Sequence, residues 1–197
     1  MRAPLLTPLE RDMLTEVATL GASRAAGSIA RIVHHNVDID VPQITLLPLE
    51  EVPATMGEAE QDMTVVLIKI IGDATGTILM ILTPENANRL VTAIAPGMEA
   101  SALEEIANIF SGRALGALSK FLGLKLLQTI PDTATDMLRA IINEVTSELG
   151  TQEDNVLLMS VGFTVTALGV KGALYYTFDT VSTQQIILKC KQHAGQS

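Results

Sequence analysis

The chain has 197 residues, 48% of them hydrophobic, a formal net charge of -9 and an isoelectric point near 4.7. That length and apolar fraction suit one compact domain or two closely fused halves with a sizeable core, and they argue against disorder. The acidic balance sets a repulsive field against phosphate backbones and anionic lipid headgroups, and no basic patch in the sequence offsets it, so neither nucleic acid nor a membrane is expected as a partner.

The most apolar run, VVLIKII at 65–71, is short and contains Lys69, far below the roughly 20 apolar residues that span a bilayer. The opening MRAPLLTPLERD lacks the long apolar stretch of a secretory signal. The single cysteine, Cys190, has no partner for an internal disulfide, in keeping with a reducing compartment, so a cytoplasmic protein is expected.

In chain order, residues 8–34 carry apolar residues near helical spacing, and Pro42 and Pro48 bracket a short extended piece, VPQITLLP. Residues 63–71 and 75–82 are rich in Val, Ile and Thr around a GDATG turn and read as an antiparallel hairpin. Thr83-Pro84-Glu85 reads as a cap opening a helix to Ile94, which Pro96-Gly97 stops. A second series follows: a long helix at 99–121, a short strand KLLQTI ended by Pro131, a helix at 133–149, strands at 155–167 and 171–178, and a closing helix at 181–192.

The second series repeats the first. An offset of 89 residues brings Glu16 onto Glu105, Ala18 onto Ala107, Arg24 onto Arg113, Gly27 onto Gly116 and Pro42 onto Pro131. Beyond Pro131 the offset lengthens to 96, where TGTILMILTPENANRL aligns with KGALYYTFDTVSTQQII. The expected fold is therefore α+β: a single domain of two repeats, about 8–95 and 99–192, related by a pseudo-two-fold. Its strands would join in one mixed or antiparallel sheet, with the two long helices on one face.

The second long helix carries Ser101, Glu105 and Asn108; the first carries Asp12, Glu16 and Thr19 at the same spacings. Positions i, i+4 and i+7 share one side of a helix, so each set is a polar stripe. Such stripes are ordinarily solvated decoration. Here, however, a proline follows the third position after 22 residues in both halves, Pro131 and Pro42. The residues Ala107, Ser111, Gly112, Ala114, Gly116 and Ala117 are all small, so the helix surface around Glu105 and Asn108 is expected to be low enough for another protein to approach closely.

The pattern Asp or Ser, three residues, Glu, two residues, Asn, 22 residues, Pro resembles that of the CheC, CheX and FliY phosphatases of chemotaxis, which act on the phosphorylated response regulator CheY. Ser101, Glu105, Asn108 and Pro131 match in full, EEIANIFSGRALGALSKFLG is similar to the family's helix, and two copies in this length look like CheC. In the first copy Asp12, Glu16 and Pro42 are in place, but Thr19 stands at the Asn position. Threonine cannot present a carboxamide's acceptor and donor pair, so a weak or silent first site is expected.

The resemblance implies hydrolysis of the CheY aspartyl phosphate. Asn108 would hold the attacking water, and Glu105 would pair with the regulator's active-site lysine; a general-base role for Glu105 is the other option. Ser101 suits an aligning or helix-start role better than a nucleophile, having no histidine near it in sequence. Mg2+ would come with the regulator, the chain having no cofactor or metal of its own. Among the histidines, His34 and His35 diverge by about 100° on a helix and do not readily chelate one ion. The alternative is a non-enzymatic adaptor, because CheC-like proteins of this family also bind the receptor deamidase CheD.

Overall fold

The computed structural model describes residues 6–57, 60–94, 99–147 and 155–195. The helix stop expected at Pro96-Gly97 and the helix end expected at residue 149 lie outside them.

Helix α1 (Pro8–Val33) begins at a capping box. Thr7 Oγ1 accepts from the Glu10 amide at 3.3 Å, Glu10 Oε2 accepts from the Thr7 amide at 2.8 Å, and proline opens the first turn. It ends at His34, in the left-handed region at φ 56°. There follow β1 (Asp38–Ile39), β2 (Gln43–Pro48), a 3-10 turn at Leu49–Glu51 and the short α2 (Val52–Thr55). The hairpin is β3 (Asp62–Gly72) with β4 (Gly76–Leu82), and α3 (Pro84–Ile94) is capped by Thr83, whose hydroxyl accepts from the Asn86 amide at 3.2 Å. The second series is α4 (Glu99–Leu122), β5 (Leu126–Gln128), β6 (Asp132–Met137), α5 (Leu138–Ser147), β7 (Asn155–Val165), β8 (Val170–Phe178) and α6 (Thr180–Ala194).

One expectation is corrected. Residues 133–137 are a strand, not the start of a helix: β6 pairs along β3 from Asp132↔Leu67 to Met137↔Asp62. The alternating threonines of DTATDM suit a pleated edge better than a helix. The repeat itself held the answer, since the 89-residue offset carries Gln43–Pro48 of β2 onto Asp132–Met137.

All the described strands join one antiparallel sheet in the order β1-β7-β8-β4-β3-β5, with β2 beside β1 on β7 and β6 beside β5 on β3. Its registers obey a pseudo-two-fold. Asp132 pairs with Leu67 as Gln43 pairs with Ser160, and Gly76 pairs with Ile70 as Gly172 pairs with Phe163. Across the middle, Leu79 pairs with Tyr175, its own counterpart at the 96-residue offset, so the axis passes between them.

Side chains of a strand alternate between the two faces. Ile78, Met80 and Leu82 join the core under α1, α3, α4 and α6, while Leu79 and Ile81 join a smaller core under α2 and α5. The two long helices thus share one face, as expected. They run antiparallel, because Gly21 of α1 meets Ala114 and Ala117 of α4 whereas Ser28 and Arg31 lie beside Asn108 and Gly112.

At their closest approach, a Cβ on Gly21 would lie 2.7 Å from Ala114 Cα and 3.2 Å from Ala117 Cβ. Backbone cannot yield there without moving a helix. Alanine is better than glycine in a helix by about 1 kcal/mol, yet Gly21→Ala is expected to destabilise the protein by roughly 1–3 kcal/mol through overpacking. Urea unfolding measures it, and a raised midpoint would mean that the crossing is loose.

Candidate active site

Helix α4 divides its sides sharply. Ala102, Leu103, Ile106, Ala107 and Phe110 are buried, the Phe110 ring centroid 5.2 Å from that of Phe163 on β7. On the outer side, Ser101 and Glu105 are exposed and Asn108 is half-buried. The neighbouring Glu104 is held by Thr133 of β6, whose hydroxyl donates to its carboxylate at 3.2 Å. Glu105 has no hydrogen bond or ion pair among the described residues, so its carboxylate projects free beside Asn108, one turn away.

Asn108 is fastened to the sheet. Gln128 of β5 donates from Nε2 to the Asn108 carboxamide oxygen, and the same nitrogen lies 3.2 Å from the Asn108 backbone carbonyl. The path of the chain explains how Gln128 reaches it. β5 and β6 are two pieces of one edge running along β3, interrupted at Thr129–Pro131, where the Thr129 amide still donates to the Lys69 carbonyl at 3.0 Å. Pro131 fits the interruption because it has no N–H to offer a ladder. Pro42 occupies the equivalent break between β1 and β2, opposite Gly162, whose carbonyl accepts from the Asp40 amide at 2.9 Å. The prolines of both motifs therefore shape the strand under the helix.

An open groove of about 640 Å3 starts at this pair of amides. Asn108, Gly112 and Arg113 form one wall, Ser28 and Arg31 of α1 the other, with Gln128 at the base. Both arginines are exposed. Two guanidiniums beside a carboxamide favour an anion locally, even on an acidic protein. The small residues need correction: Ala107, Ser111 and Ala117 are buried and Ala114 packs on Gly21, so they serve helix packing, while Gly112 and Gly116 alone of the six are exposed.

The first stripe is built differently. Asp12 and Glu16 are exposed on α1, but the Thr19 hydroxyl donates to its own helix, to the Thr15 carbonyl at 2.7 Å. The residue equivalent to Gln128 is Ile39, packed against the helix-side core. Gln128, Arg31 and Arg113 were not assigned to a site by sequence reasoning. For Gln128 a signal existed, in that the repeat alignment sets a glutamine against an isoleucine.

His34 and His35 lie at the C-terminal end of α1, and among the described residues no group of three His, Cys, Asp or Glu side chains is placed to hold a metal ion. A further cavity of about 270 Å3 lies on the opposite face of the sheet, between β3 and α5, with none of the stripe residues in it. No helix of the described residues is long and apolar enough to cross a membrane.

These features can be set beside known proteins. The CheC-like family matches residues 98–133, a span that contains Ser101, Glu105, Asn108, Gln128 and Pro131. The CheY-P phosphatase CheC of Bacillus subtilis (strain 168) is 26% identical over 162 residues, covering 76% of this chain and 78% of that protein. Among solved structures, Thermotoga maritima FliY superposes with a TM-score of 0.75 at 18% identity, over 96% of this chain and 99% of that one. FliM from the H. pylori FliM-SpeE complex does so at 0.72 and 11% identity, over 95% and 97%. The fold is thus the one shared by the FliY, FliM and CheC-like proteins. In sequence the chain is similar to the CheC-like family through the helix and edge strand that carry Asn108 and Gln128.

Cys190, the remaining nucleophile, is fully buried in α6, and burial, aided by the charge of Glu10, pushes its thiol up to about 12. A thiol so placed stays protonated and unreactive. Because its folded value lies above its ordinary 9.0, the neutral thiol's contribution to stability is complete below about pH 9 and is lost as pH rises towards about 12. The buried Tyr176 hydroxyl, raised for the same reason, acts in the same direction. Urea midpoints should therefore fall between pH 8 and pH 10.5, and native Cys190 should resist iodoacetamide at pH 8 where the unfolded chain reacts. Rapid native alkylation would contradict the burial.

Proposed function

We propose that this protein accelerates hydrolysis of the aspartyl phosphate on a CheY-like response regulator through the site on α4. The observation that carries the reading is Asn108: a neutral carboxamide, held in place, half-open to a groove with two arginines, one turn from an unpaired carboxylate. Phosphoryl transfer calls for an in-line nucleophile and charge compensation more than for covalent chemistry. A carbonyl oxygen has two lone pairs. Gln128 uses one on Asn108, and the second can accept from water and fix its line of attack without ionising.

Glu105 sits too near the incoming phosphoryl group to be a welcome charge unless it meets a cation. Pairing with the regulator's active-site lysine supplies one and sets the orientation of the complex. Arg31 and Arg113 would face the acidic rim that such a regulator presents around its phosphoaspartate. Mg2+ arrives with the regulator, among the regulator's own carboxylates. Ser101, exposed at the start of the stripe, aligns the helix surface rather than reacting. In the first stripe the Thr19 hydroxyl is committed to the Thr15 carbonyl, which supports a weak or silent second site at Glu16 and Thr19.

The test is the time course of phosphate release from phosphorylated CheY. Asn108→Ala should lower the acceleration by roughly 100-fold, about 2.7 kcal/mol in barrier, with the urea midpoint little changed. Glu105→Ala should act chiefly by raising KM. Unchanged acceleration in Asn108→Ala would sink the assignment. Binding of CheD with no effect of the wild-type protein on phosphate release would instead give the chain the role of a non-enzymatic adaptor.

A further inference from the structure

We propose that Gln128 is the positioning residue for Asn108, and that the two amides work as one unit. The inference rests on the reading of Asn108 as the group that holds the water. Four observations converge on it. Gln128 Nε2 donates to the Asn108 carboxamide oxygen and lies 3.2 Å from its backbone carbonyl, so both of its hydrogens are directed at one residue. The Asn108 backbone carbonyl also accepts from Ser111 Oγ at 3.1 Å, which fixes the turn on which the carboxamide stands. In the first repeat both amides are replaced together, Asn108 by Thr19 and Gln128 by Ile39.

The fourth observation separates positioning from support of the fold. Gln128 Oε1 is buried without a hydrogen-bond partner in the protein. A buried acceptor left unpaired is a cost, so an apolar residue of the same length is tolerated at 128, as isoleucine is at 39. An unclamped Asn108 carboxamide would rotate about its last torsion, exchange its oxygen for its nitrogen, and present a donor where the water needs an acceptor. The clamp removes that freedom before the regulator binds, and its effect belongs in kcat rather than in docking.

The experiment uses the full chain with Gln128→Met, which keeps length and loses the amide, and Gln128→Ile, the residue of the other repeat. Each should lower kcat for phosphate release from phosphorylated CheY by about tenfold or more with KM unchanged, while the urea midpoint stays level or rises. A loss seen in KM with kcat intact would assign Gln128 to docking and overturn the proposal; so would unchanged kinetics. A second readout needs no regulator: in the free protein the Asn108 side-chain amide should give an ordered pair of 15N-bound proton signals that becomes mobile in Gln128→Met. If wild-type protein releases no phosphate, the function assigned to the site fails, and the NMR signal still decides whether Gln128 orders Asn108. An Asn108 amide as ordered in the variant as in the wild type overturns the clamp. In an Asn108→Ala background, Thr19→Asn with Ile39→Gln should restore more activity than Thr19→Asn alone; equal recovery would count against the paired amides.

Discussion

The closeness of the two long helices governs the rest of the molecule. With no side chain at Gly21 and only methyls at Ala114 and Ala117, the backbones of α1 and α4 come within reach of one another, and each helix is pinned to its neighbour as well as to the sheet. Because they cross antiparallel, the C-terminal half of each lies beside the N-terminal half of the other. That is why Arg31, near the end of α1, faces the same groove as Asn108 near the start of α4. The polar stripe is written on one helix, but its surroundings are supplied by both.

Beneath the helices, the second constraint is an edge strand broken by a proline. An uninterrupted strand along β3 would hold one register throughout. The break at Thr129–Pro131 divides it into β5, which lies under α4 and carries Gln128, and β6, which carries Thr133 to Glu104. Two polar bonds from the two pieces thus reach adjacent turns of one helix. Pro131 does not line the groove, yet the position of Gln128, and through it of Asn108, depends on the turn it makes possible.

Much of this was legible in the sequence because it is periodic. Helical spacing located α1 and α4, β-branched runs located the hairpin, and the 89-residue offset gave the pseudo-two-fold that the strand registers follow. Errors arose where a residue type has two uses. Small residues on α4 suit an open docking surface and a tight helix crossing equally well, and only the packing partner, Gly21, decides for the second. DTATDM has enough Ala, Asp and Met to pass as a helix start, and its pairing with β3 is a non-local fact. Gln128 illustrates the same limit: nothing in a glutamine 20 residues after an asparagine says that they touch.

The two repeats show how a fold and a site can part company. The two copies share a proline at each strand break, a long helix bearing each stripe and the same strand registers. At the chemical positions the copies diverge, and the change costs the fold nothing. Thr19 satisfies its hydroxyl on the Thr15 carbonyl, as a threonine within a helix can, and Ile39 packs against the core where Gln128 leaves a buried oxygen unpaired. On stability alone, the first copy is the better-resolved solution. The amide pair of the second copy leaves one acceptor buried and unpaired, a cost to the fold that the proposed positioning of Asn108 by the other end of the same side chain would account for.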